Sequence, residues 1–115
     1  MLVGVDMRYE LDLSRYTVEI DSKVCEYPLR QNLCSWLRMI GIFRSADDVA
    51  EAVLLARRIR EHGGNKLRLD ETEARILRTA IDRLLELTAD GKASLGGEIH
   101  EEAIFRVARM EKVEG

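Results

Sequence analysis

The sequence predicts an α+β fold in which an N-terminal antiparallel β-hairpin or meander packs with three to four α-helices. Three observations lead there. Apolar residues alternate with polar ones between residues 7 and 20, as half-buried strands require. From Leu29 onward they recur three and four residues apart, the spacing of helices with one buried face. Between these patterns, Lys66-Leu67-Arg68-Leu69-Asp70-Glu71-Thr72-Glu73 reads as a short extended segment followed by a helix cap.

Met7, Tyr9, Leu11 and Leu13 alternate with Arg8, Glu10 and Asp12, which predicts the first strand. After a turn at Ser14-Arg15, Tyr16, Val18 and Ile20 alternate with Thr17, Glu19 and Asp21, and the two runs are expected to pair as a hairpin. Asp21-Ser22-Lys23 signals a second turn, and Val24 to Tyr27 a short third strand. Pro28 suits a first helical turn, where its missing amide costs nothing. Leu29, Leu33, Trp36, Leu37 and Ile40 then form one stripe, with Gly41 placed to end the helix. Ser45 and Asp48 make a cap-like start for a second helix lined by Val49, Ala52, Val53, Ala56 and Ile59, and Gly63-Gly64 stops it.

Asp70 and Glu73 form an acidic variant of the capping box: the Asp70 carboxylate accepts from the Glu73 amide while the Glu73 carboxylate accepts from the Asp70 amide. A third helix therefore begins at Glu71 and is expected to bury Leu77, Ala80, Ile81, Leu84 and Leu87. Asp90-Gly91 and Gly96-Gly97 bracket residues 90–97, a connector within a single 1–115 domain. Ile99, Ala103, Val107 and Met110 predict a fourth, shorter helix.

Composition narrows the classes of function. A chain of 115 residues with 46% hydrophobic and 34% charged residues has enough apolar material for one core. Its net charge of -3 gives no global field for nucleic acid. Two cysteines, Cys25 and Cys34, are too few for a disulfide scaffold and lack metal-ligand spacing. No apolar run approaches the roughly 18 residues of a membrane span, and Met1 to Asp6 is too short for a signal sequence. A cytoplasmic protein without metal or cofactor is the expectation.

Candidate chemistry is sparse. Arg57, Arg58 and Arg60 offer a local phosphate-binding cluster, which makes a nucleic-acid-binding regulator one alternative. The same arginines complement the second helix's dipole, since Asp47, Asp48 and Glu51 stand at its other end. Read as a helix-turn-helix, the first two helices lack a basic reading stripe. His62 fits a favourable last-turn position and His100 a surface position in an acidic first turn, and neither has finger-like ligand spacing. No serine or cysteine sits in a nucleophile elbow. Gly63-Gly64-Asn65-Lys66 follows a helix instead of opening one, so it is no phosphate loop. An enzyme would need a composite site completed by another subunit.

Surfaces for partners are easier to find. Phe43, beside Ile42 in a turn, reads either as a buried loop anchor or as a partner-binding residue. Leu54 and Leu55 widen the second helix's apolar stripe and are candidate partner-binding residues too. The hairpin from Met7 to Ile20 is expected to leave one strand open to strand addition, unless the fourth helix and the Ile42-Phe43 turn cover these surfaces. Self-association or a protein partner follows as the expectation, with nucleic acid and membrane disfavoured.

Met7-Arg8-Tyr9-Glu10-Leu11-Asp12-Leu13, Tyr27-Pro28-Leu29-Arg30 with Leu33 and Leu37, Leu55-Ala56 with Ile59, and Leu69-Asp70-Glu71 with Glu73 follow one another in an order that resembles small uncharacterised proteins encoded in bacteriophages and prophages. The resemblance spans Met7 to Glu86 and leaves the segment after Asp90 outside it. It brings no catalytic residues. What it implies is a non-enzymatic, assembly-associated protein that works by binding another protein.

Overall fold

The computed structural model of the chain describes residues 7–39, 41–91 and 98–114. In chain order these form β1 (Met7–Asp12), β2 (Thr17–Ile20), β3 (Lys23–Glu26), α1 (Leu29–Leu37), α2 (Ala46–Glu61), β4 (Lys66–Leu69), α3 (Glu71–Ala89), a 3₁₀ turn (Glu98–His100), α4 (Glu101–Ala108) and β5 (Glu111–Glu114). The α+β class therefore holds, the described residues forming antiparallel strands in two separate sheets and four α-helices.

The strand partners differ from the expected hairpin. β1 is the central strand of a three-stranded sheet ordered β4-β1-β5, and among the described residues β2 pairs only with β3. Register places Leu11 opposite Leu67 and Tyr9 opposite both Leu69 and Lys112. Burial explains the choice. β4 alternates strictly, with Leu67 and Leu69 almost fully buried, and it completes an apolar layer with Leu11. β2 is mostly exposed and has no such layer to give. Between them the chain turns at Asp12, whose Oδ1 accepts from the Ser14 amide at 2.9 Å and the Ser14 hydroxyl at 2.6 Å. The Leu13 amide donates to the Asn65 carbonyl at 2.6 Å, which carries the alignment with β4 past the end of β1.

β5 has one apolar residue among Glu111, Lys112, Val113 and Glu114, so no alternation announces it. It forms because β1 offers a second backbone edge. Arg68 adds a 3.2 Å bond to the Glu114 carbonyl, and the Lys112 ammonium lies 5.8 Å from the centre of the Tyr9 ring.

The starts of α2 and α3 follow the side chains that satisfy free amides. Ser45 Oγ accepts from the Asp48 amide at 3.1 Å, opening α2. Both bonds of the Asp70–Glu73 box are made, at 2.7 and 3.0 Å, opening α3. α1 ends at Leu37, ahead of Gly41, whose φ of +91° serves the following turn. Ile40, expected in the α1 stripe, lies outside the described residues, as do residues 92–97 of the expected connector. Arg30 holds the far end of α2 by donating to the carbonyls of Ile59 (2.9 Å), His62 (2.5 Å) and Gly64 (2.8 Å).

The core lies where α1, α2 and α3 meet, and extends to the sheet's inner face and α4. Leu33, Leu37, Ile42, Leu55, Ile59, Ile76, Leu77, Leu84 and Val107 are its largest fully enclosed side chains outside the sheet. The α2 stripe is Ala52, Leu55, Ala56 and Ile59, so the expected Val49 and Val53 fall on its exposed flank. In α3 the stripe gains Ala74 and Ile76, while Leu87 is only half-buried.

Candidate interaction site

The most open part of the described molecule is the β2–β3 hairpin. Asp21 and Ser22 form its two-residue turn with φ of +50° and +66°, the left-handed pair that a tight hairpin requires. The register runs from Ile20 opposite Lys23 to Thr17 opposite Glu26, and the Tyr27 amide continues it by donating to the Tyr16 carbonyl at 3.0 Å. Antiparallel bonding alternates along each strand. Residues 16, 18 and 20 therefore bond inward to 27, 25 and 23, and the backbone groups of Val24 and Glu26 point away from the hairpin. All four β3 residues are exposed; Val24 reaches 72% and Ile20 on β2 42%.

The base of the hairpin is fixed by aromatic side chains. Tyr16 and Tyr27 lie across the strands with ring centres 5.1 Å apart and planes 16° from parallel. The Tyr27 hydroxyl and His100 Nδ1 share a 2.6 Å hydrogen bond, and the His100 ring meets Tyr27 and Trp36 edge-on. His100 is thus half-buried under the hairpin, not a surface residue of an acidic turn. Burial lowers its pKa below the ordinary 6.5. The Tyr16 hydroxyl is pushed up to about 12, first by burial and then by Tyr27, against the pull of Arg106. Among the described residues it is enclosed without a well-aligned hydrogen-bond partner, the nearby Ala103 backbone being its polar neighbour.

Arg106 ties this base to the sheet. Its guanidinium sits 4.5 Å above the Tyr16 ring, takes the Glu102 carboxylate at 2.6 Å, and donates to the carbonyls of Asp12 (3.2 Å) and Ser14 (2.7 Å). Burial pushes the Asp12 carboxyl up, but the Ser14 hydrogen bonds and the Arg106 and Lys66 charges bring it below its usual value overall. Beside the base, Leu13, Arg15, Tyr27, Pro28, Leu29 and Arg30 line most of an open groove of about 400 Å³.

The residues singled out from sequence do not converge. Phe43 and Leu55 are buried, at 9% and 1% exposure, and present no surface to a partner. The turn that carries Phe43 folds inward with Ile42, and Leu55 faces the core because α2 is flanked there by α1 and α3. Leu54 is exposed at 52%, next to Val53 on the outer flank of α2. Among the arginines, Arg58 is drawn to its own chain by the Glu73 carboxylate and by the Arg68 carbonyl at 3.1 Å. Arg57 and Arg60 face elsewhere, lining a small cleft of about 90 Å³ with Cys34, Arg38, Val53 and Ala56.

Both histidines are engaged within the chain, His62 Nε2 lying 2.7 Å from the Lys66 carbonyl. Cys34 donates to the Ala56 carbonyl at 3.1 Å, and burial pushes its thiol pKa up despite nearby Arg60, Arg38 and Arg30. Cys25 is exposed on β3. Among the described residues, no three His, Cys, Asp or Glu side chains gather to hold a metal, and no helix is long and apolar enough to cross a membrane.

Sequence reasoning missed the Tyr27–His100–Trp36 cluster because its members are 9 to 73 positions apart. No local pattern brings them together. Comparison with protein-family models, curated proteins and solved structures finds no match to this chain.

Proposed function

We propose that this chain is a non-enzymatic, assembly-associated protein of phage or prophage type. On this reading it works in the cytoplasm and binds protein through the β2–β3 hairpin. The observation that carries the reading is the exposure of the whole of β3, with Val24 and Ile20 at the free end of a hairpin whose base is fastened by Tyr16, Tyr27, His100 and Arg106. A two-stranded ribbon is marginal in water by itself, and its outward backbone groups are a template for a further strand. A held base with an uncovered end suits recognition.

Site-specific photocrosslinking in the source cell tests this. A photoreactive side chain at position 24 is expected to give one discrete protein adduct, while the same probe at exposed position 101 gives none. Equal, diffuse labelling from both positions would overturn the reading.

A further inference from the structure

The hairpin has an edge suited to a second copy of itself. We propose that two copies associate through antiparallel β3 strands about a two-fold axis, with Val24 of each opposite Glu26 of the other. The inference rests on the protein-binding reading above and names the partner.

The register follows from which backbone groups are free. Only Val24 and Glu26 direct their amides and carbonyls outward from β3, so a new ladder must use them. Pairing Val24 with its own copy yields a single bonded pair, because the next position is Ser22, a left-handed turn residue. Pairing Glu26 with its own copy sets two carboxylates face to face and puts Val24 opposite Pro28, which has no amide. Pairing Val24 with Glu26 avoids both problems and gives two bonded pairs, about four backbone hydrogen bonds. Cys25 then falls on the axis opposite Cys25 of the second copy, and Lys23 lies beside the second copy's Tyr27. The two hairpins become a four-stranded sheet, and the marginal two-stranded ribbon is gone. β2 is the less available edge, since it lies against the 3₁₀ turn.

The same register carries each hairpin turn onto the other copy. Asp21 and Ser22 are carried toward Pro28 and Leu29, which line the groove at the hairpin base. At that groove the exposed Arg15 meets the Asp21 carboxylate of the other copy. Arg15 is open to such a partner: its side chain is 87% exposed, and its contact with Glu26 is a loose 3.7 Å. Turn and groove occur once on each copy, so the contact is isologous and closes at two.

Position 25 provides the test, because it is exposed in the single chain and adjacent to itself only in this pairing. By sedimentation at tens of micromolar, the parent is expected to be a dimer. Cys25→Lys and Cys25→Asp, each setting like charges on the axis, should weaken self-association roughly tenfold or more. An equimolar mixture of the two should restore a dimer of one copy of each. A monomeric parent would overturn the pairing, as would variants that dimerise like the parent or a mixture that stays monomeric. If the parent is monomeric yet the probe at position 24 crosslinks a different protein, only the second copy is lost. If that probe gives no discrete adduct, the reading beneath it goes too.

Discussion

His100 and Tyr16 show what enclosure does to polar side chains at the hairpin base. The fold prefers neutral His100, so below pH 6.5 the unfolded chain binds more protons there than the folded one. The stability that depends on the neutral ring is complete above 6.5 and drains away as pH falls through the lowered folded value. The His100 ring resonances are therefore expected to titrate below 6.5, and a midpoint at or above that value would show that the ring is not desolvated. When the ring is neutral in its Nε2–H tautomer, the Tyr27 hydroxyl donates to Nδ1; protonation removes that acceptor. Tyr16 makes the complementary case. Its enclosed hydroxyl has no well-aligned partner among the described residues, so Tyr16→Phe removes a desolvated group at little loss. Chemical denaturation should find the variant as stable as the parent or more so, by up to about 1 kcal/mol. A clear loss would mean that the hydroxyl is bonded.

Helix α2 shows why periodicity finds an element before it finds its face. Val49, Ala52, Val53, Leu55, Ala56 and Ile59 contain two overlapping stripes, each at helical spacing. The position of α1 and α3 selects Ala52, Leu55, Ala56 and Ile59, and turns Val49, Val53 and Leu54 outward. Leu54 and Leu55, adjacent in sequence, consequently have opposite roles. Leu55→Ala should cost about 2–5 kcal/mol, the usual range for emptying a core leucine site. Leu54→Ala should stay within about 0.5 kcal/mol, as at an ordinary surface position. Thermal or denaturant unfolding of both decides it, and equal costs would place α2 differently. Helix starts were easier to read: the Ser45 and Asp70 caps act within three residues, and both bond as their sequence contexts imply. The strand-addition surface was partly legible, since Ile20 lay in the expected hairpin. Its partner strand was legible too, as the third strand expected from Val24 to Tyr27. That β1 would pair with β4 and β5 instead of β2 was not, because every short alternating run competes for the same edges.

At the scale of the whole molecule, stability comes from an aliphatic core that joins three helices to a sheet centred on β1. Reductant together with a chelator should leave the thermal midpoint unchanged, and a marked fall under either would show dependence on a disulfide or metal. Local chemistry in the sequence was enough to determine the α+β class, the caps, the hairpin turn at Asp21-Ser22 and the apolar character of each helix, because these depend on residues within one or two turns of one another. Only the tertiary structure decided that β4 and β5 flank β1, that Phe43 and Leu55 are buried, that Arg58 leaves its neighbours for Glu73, and that His100 lies beneath Tyr27. Each of those outcomes is a competition among segments far apart in the chain. It is settled by which pairing buries the most apolar surface while leaving the fewest backbone groups unbonded.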